Sequence, residues 1–127
     1  GDHMVAAHLL IPQIEHTLRR LAVMTGGSGY RLDRRTGAIQ LKVLGDLLSE
    51  DGVVKALDAR GTTYLKVVLS DPRGWNLRND LCHGILDPQN LGAASTDRLL
   101  HVLLLLGSLR RADPSEKPTD SAEPPGK

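Results

Sequence analysis

The sequence predicts an all-α bundle with one small β-hairpin excursion near residues 30–41, and three observations predict it. Aliphatic residues recur at three- and four-residue steps through most of the chain, the spacing that gives a helix an apolar stripe. Phe is absent and the chain holds one Trp and two Tyr, so its core is built from branched aliphatics, which suit small helical packing. Clusters of Gly, Pro, Asp and Asn cut the chain into pieces of helical length. At 127 residues the length is ordinary for one domain.

The first four residues, Gly1-Asp2-His3-Met4, read as a cloning scar and are set aside. Val5 to Met24 is the first expected helix, with Leu10, Ile14, Leu18 and Leu21 as its stripe and Glu15 and Arg19 one turn apart on its surface. Pro12 either begins this helix or kinks its first turn. Thr25 to Gly29 is a glycine-rich break. Leu32, Ile39 and Leu41 suit a short hairpin around the turn Arg34-Arg35-Thr36-Gly37. Gln40 to Leu48 reads as a helix, Val53 to Ala59 as a second one ended by Gly61, and Thr62 to Leu69 as a further helical piece. A turn at Asp71 to Gly74 leads into a helix from Trp75 or Asn76 to His83, ended by Gly84. Ser95 or Thr96 is expected to cap the last helix, which runs to about Arg111. Residues 5–112 make the expected helical domain. Residues 113–127 carry four prolines and no apolar period, which predicts a disordered tail.

Composition narrows the function classes. A net charge of +1 gives no global positive field, so any nucleic-acid site must be a local cluster. The low aromatic content argues against modules that read single strands on sheets of exposed rings. Cys82 is a lone cysteine, with no disulfide and no metal-ligand spacing, which fits a reducing, cytoplasmic setting. No apolar run reaches the ~18–20 residues of a membrane span, so no membrane contact is expected from this segment. Leu99, Leu100, Val102 to Leu106 and Leu109 cover more than one helix face. That predicts burial on several sides and hence a homodimer.

The segment that can carry chemistry is Asn76-Leu77-Arg78-Asn79-Asp80-Leu81-Cys82-His83-Gly84. Asn79 and His83 share a helix face. Arg78 and His83 lie roughly 140° apart at ~100° per residue. They converge only if the helix end unwinds, the long Arg reaches around, or two such helices meet across subunits. An imidazole titrates near neutrality and can move protons. A guanidinium fork holds a phosphate, and an amide orients either group. No metal or cofactor is implied. On spacing alone, an Arg, an Asn and a His near a helix end are more often a surface ion pair and a C-terminal cap than a catalytic set.

The string RNxxxHG resembles the signature of a HEPN-like domain family, one that includes the domain in the endoplasmic reticulum membrane-associated RNA degradation protein. The lead-in Gly74-Trp75-Asn76-Leu77 and the early Leu10-Ile11-Pro12-Gln13-Ile14-Glu15, with Arg19 behind it, fit the same resemblance, which spans roughly Leu9 to Leu106. It implies a HEPN-like helical bundle that dimerises and cuts RNA without metal, leaving cyclic phosphate ends. Arg78 and His83 become the catalytic pair and Asn79 the polar helper. Asn76, Gly84, Glu15 and Arg19 support the motif. It also implies a setting within a larger defence, toxin or RNA-decay protein with partner domains. The alternative is a non-catalytic dimerisation or RNA-binding module of the same shape. Cys82 is expected to be a small buried helix residue. His8, His16 and His101 are expected to be surface or core histidines, and Arg31 with Arg34 and Arg35 a solvated turn.

Overall fold

A computed structural model describes residues 2–110; the expected tail lies outside the described residues. The chain is mostly helical with one small hairpin. In order it forms α1 (His3–Met24), β1 (Tyr30–Leu32), β2 (Ile39–Leu41), α2 (Leu44–Leu47), α3 (Asp51–Leu69), α4 (Leu77–Cys82), a 3-10 turn (Pro88–Asn90) and α5 (Ala93–Ser108). Residues set aside as a scar are built into the fold. Asp2 Oδ1 accepts the Val5 N–H at 3.1 Å and caps α1, while His3 Nδ1 meets Thr96 Oγ1 at 3.1 Å.

The helix α1 packs most extensively on α5, and the two run parallel. His3 meets Thr96 near the start of α5, and Leu21 and Met24 share a cleft with Leu106 and Leu109 at the other end. The buried face of α1 is Ala7, Ile11, Ile14, Leu18 and Ala22. Leu10 and Leu21, expected in the stripe, sit half-buried at its edge. The face is rotated so that Ala7 and Ala22, both fully buried, belong to it. Pro12 lies inside α1 on its exposed side, where water can answer the backbone bond that it removes.

Three boundaries differ from expectation. The helix expected over Gln40–Leu48 shrinks to α2, because Gln40 and Leu41 pair in the ladder of β2 with β1, in the register Tyr30↔Leu41 and Leu32↔Ile39. Leu44, Leu47 and Leu48 are still buried. The joint expected at Gly61 falls at Asp58, whose φ of 58° and ψ of 179° break α3 internally. Asp58 Oδ1 accepts the Gly61 N–H at 2.8 Å, so Asp58 acts as the cap of the second half. That backbone region is costly for any residue with a side chain. Helix α5 starts from Gly92, with Ser95 buried inside it and the Thr96 hydroxyl turned back on Gly92 O.

In α5, Ser95, Leu99, Val102 and Leu106 are buried. Leu103, Leu105 and Leu109 pack against the core, and Leu100 and Leu104 are exposed. One chain therefore covers most of the girth that the sequence assigns to a partner. No helix among the described residues is long and apolar enough to cross a membrane.

Candidate functional site

Helix α4 is six residues long and Leu77 is its one fully buried residue. A helix this short has little stability of its own, so its position comes from what flanks it. On the entry side, Gly74 presses against the end of α3. A Cβ there would lie 2.4 Å from Val67 O, and the next N–H, that of Trp75, donates to the same oxygen at 2.9 Å. Asn76 then turns the chain at φ 50° and ψ 24°, a left-handed conformation that Asn tolerates better than most residues. On the exit side, Gly84 adopts φ +67°. Its N–H donates to Leu81 O, and the Ile85 N–H reaches back to Asp80 O at 2.9 Å. This pair of bonds is the Schellman ending, and it requires a residue comfortable at positive φ.

Polar side chains fix the rest. Arg78 Nε donates to Glu15 Oε1 at 2.6 Å, tying α4 to the middle of α1. Its Nη1 lies 3.4 Å from Asn79 Oδ1, and Nη2 has no partner among the described residues. Asn79 Nδ2 donates to Ser70 O at 3.2 Å and to Asn76 Oδ1 at 3.0 Å. Ser70 is the C-cap of α3, where backbone carbonyls lack intrahelical donors. Asn79 thus closes the end of α3 with its amide. Asn76 Nδ2 in turn donates to Asp80 Oδ1 at 2.7 Å.

Glu15 is shared between two cations. Its other oxygen lies 4.0 Å from Arg19 Nη2. Arg19 Nη2 also donates to Lys42 O at 3.4 Å, and Arg19 Nε is buried without a hydrogen-bond partner. The hydrogen bond to Glu15 raises the Arg78 pKa above its already high ordinary value, so Arg78 stays cationic at any working pH. Glu15 lies beside both Arg19 and Arg78, and Asp80, held by Asn76, brings the formal charge of the network to balance. The site therefore offers directed donors and no strong positive field.

The structure brings Arg78, Asn79, Asn76, Glu15 and Arg19 into one network and leaves His83 outside it. His83 is the C-cap of α4; it is exposed, and its ring nitrogens meet no partner among the described residues. The Arg78 guanidinium is turned to Glu15, and no hydrogen bond among the described residues joins it to His83. The helix end does not unwind to join them, because Gly84 closes it in a regular cap. Cys82, expected to be buried, is exposed, since only the Leu77 and Leu81 side of so short a helix meets the core.

Two participants escape a reading of the sequence. The Ser70 carbonyl carries no side-chain signal, although the end of a helix just before a turn advertises free carbonyls. The other is the contact of Trp75 with Arg98, whose guanidinium carbon lies 4.9 Å from the indole ring centroid although 23 residues separate the two. His101 pairs with the Tyr64 hydroxyl at 2.6 Å, and His8 Nδ1 lies 2.8 Å from Met4 O. No group of three or more His, Cys, Asp or Glu among the described residues is placed to hold a metal ion. The chain matches no family model, no curated protein and no solved structure.

Proposed function

We propose that this chain is a HEPN-like, metal-independent endoribonuclease domain that works as a homodimer, with Arg78 and His83 as its catalytic pair and Asn79 as the positioning amide. The observation that supports this most is the uneven treatment of one six-residue helix. Arg78 and Asn79 are oriented by Glu15, Ser70 and Asn76, while His83, on the same short segment, is left unpartnered and exposed. A segment serving packing alone would need neither the oriented cation nor the free imidazole.

In this reading the RNA 2′-hydroxyl attacks the adjacent phosphorus as an imidazole takes its proton. The new P–O bond forms as the bond to the 5′-oxygen breaks, and that oxygen leaves with the proton returned by the imidazolium so formed. The products are a 2′,3′-cyclic phosphate and a 5′-hydroxyl. The free Nη2 edge of Arg78 stabilises charge on the phosphate oxygens as the transition state forms. Dimerisation sets the two RNxxxH segments in one shared cleft, so that Arg78 and His83 act on the same phosphate.

The anchoring of Arg78 on Glu15 also favours a second reading, an RNA-binding or dimerisation module of the same shape in which Arg78 is structural. Single-turnover cleavage of labelled RNA separates the two. The first reading expects cutting that persists with chelator, cyclic phosphate ends, and a loss of ~10²–10⁴-fold on His83→Ala with the fold intact. Light scattering should give about twice the 13.7 kDa chain mass. If His83→Ala cuts as fast as the unsubstituted chain, with contaminating nuclease excluded, the binding-module reading replaces it.

A further inference from the structure

The single Trp of the chain stands at the entrance to the motif. Trp75 is 40% exposed, an unusual placement for the largest apolar side chain. Its backbone is fixed. The N–H is bonded to Val67 O, Gly74 before it is wedged against α3, and Asn76 after it is locked in the network with Asn79 and Asp80. The ring is therefore held out on a rigid turn.

Arg98 lies on the second turn of α5, exposed, with its guanidinium carbon 4.9 Å from the ring centroid. It forms no salt bridge among the described residues, whereas Arg19, Arg31, Arg73 and Arg78 each have a carboxylate. Among the described residues its cation meets only the ring, which leaves its N–H groups to face an anion. Helix α4 rises ~1.5 Å per residue, so roughly 9 Å separate its start, two residues after Trp75, from His83.

The geometry points to a binding subsite for single-stranded RNA: an unpaired base stacks on the face of the Trp75 indole opposite Arg98, and Arg98, on the other face, holds the neighbouring phosphate. This rests on the ribonuclease reading for the fate of the strand but makes its own claim about binding. Any base has a π-face, so the subsite selects for an unpaired nucleotide rather than for sequence. One ring and one guanidinium are too few to read a sequence. They are enough to place one nucleotide near the segment Arg78–His83.

Because Trp75 is the single Trp, its fluorescence reports directly on the ring. The full chain carrying His83→Ala, which removes the proposed cleavage, is titrated with a short oligoadenylate. The same titration is run with an abasic ribose-phosphate oligomer of equal length and with an RNA duplex. Saturable quenching by the oligoadenylate, and much weaker quenching by the other two, is expected. Trp75→Ala should weaken oligoadenylate binding roughly ten- to hundred-fold, and Trp75→Phe less. Arg98→Gln should weaken binding and lower the salt dependence by about one phosphate contact while leaving the quenching in place. Matched melting curves confirm folding, and if Trp75→Ala does not fold, the quenching and Trp75→Phe decide. Cleavage by the unsubstituted chain without quenching overturns the subsite and leaves the ribonuclease reading standing. Quenching by oligoadenylate without cleavage upholds the subsite and overturns the ribonuclease reading. Absence of both binding and quenching overturns the subsite.

Discussion

The motif helix and the hairpin are both short excursions between long helices, and they are anchored in opposite ways. Helix α4 is polar over most of its surface, yet directed contacts from its entry turn and first residues to α1 and α3 hold it, and its own Gly84 cap closes its exit. The hairpin is apolar over one whole face, yet none of its strand residues is buried. Its register places Tyr30, Leu32, Ile39 and Leu41 on the same side, with Leu32 63% and Ile39 75% exposed. Its ties are polar. Arg31 Nη1 meets Asp46 Oδ2 at 3.0 Å, Lys42 pairs with Glu50, and Asp33 Oδ1 accepts the turn N–H of Arg35 at 2.8 Å. Apolar patterning thus did not decide what is buried. A two-stranded ribbon has faces but no second layer to cover them, whereas a helix six residues long can be pinned by a few well-aimed side chains.

The sharpest way to break this comparison is Gly74→Ala. The added Cβ would meet the Val67 backbone oxygen, which cannot move without disturbing α3. A loss of ~2–3 kcal/mol follows from overpacking. Thermal melting should show it as a midpoint lower by about 10 °C for a domain of this size. An unchanged midpoint would mean that the turn before α4 is looser than its contacts require.

Glu15→Gln comes next. With side chains 20–23% exposed, the Glu15–Arg78 pair lies between a surface ion pair, worth about 0–1 kcal/mol, and a buried one, whose breakage costs about 3–5 kcal/mol. An expected cost of ~1–3 kcal/mol can be read by urea unfolding. A Glu15→Ala/Arg78→Ala double-mutant cycle should show coupling on the order of 1 kcal/mol or more. Additive effects would remove α1 from the account of how the motif is held.

On the hairpin, Leu32→Thr with Ile39→Thr should change stability by less than ~0.5 kcal/mol, as for exposed sites elsewhere. A drop beyond ~1 kcal/mol that grows with protein concentration would show that a second copy covers this face.

The smallest expected effect lies in the turn that leads to α4. The Arg73 side chain, and then its backbone N–H, hold the Asp71 carboxyl at about 2, below its ordinary 3.8. A depressed folded-state pKa contributes stability that is present above about 4 and is lost as pH falls toward about 2. The Asp71 side chain is 20% exposed and its partner Arg73 89% exposed, so solvent screens the pair and the contribution is small. Asp71→Asn should flatten the acid limb of the melting-temperature profile between those values and leave it unchanged near neutrality.

Local rules carried much of this molecule. The three- and four-residue aliphatic spacing marks α1 and α5, and Gly84 marks the end of α4. The turn Arg34 to Gly37 between Leu32 and Ile39 marks the hairpin. Each needs only near neighbours in the chain, because a helix stripe, a cap and a tight turn are set within a few residues. The exact face of α1 was not legible, because apolar size alone favoured Leu10 and Leu21, whereas the packed bundle buries Ala7, Ile11 and Ala22. Asp58 displaced the joint in α3 from Gly61, because a side-chain cap can fix a break that glycine only permits.

The candidate site divides along the same line. The residue types for phosphate and proton chemistry stand side by side in the sequence at Arg78, Asn79 and His83, together with the turn that presents them. Tertiary structure alone decided that Arg78 reaches Glu15 across 63 positions, that Asn79 closes the end of α3 at Ser70, that His83 meets no partner among the described residues, and that Arg98 lies over one face of Trp75. These are contacts between side chains and groups that only helix packing brings near one another. No local spacing encodes them, because the closure of the bundle, and not the run of the chain, sets those distances.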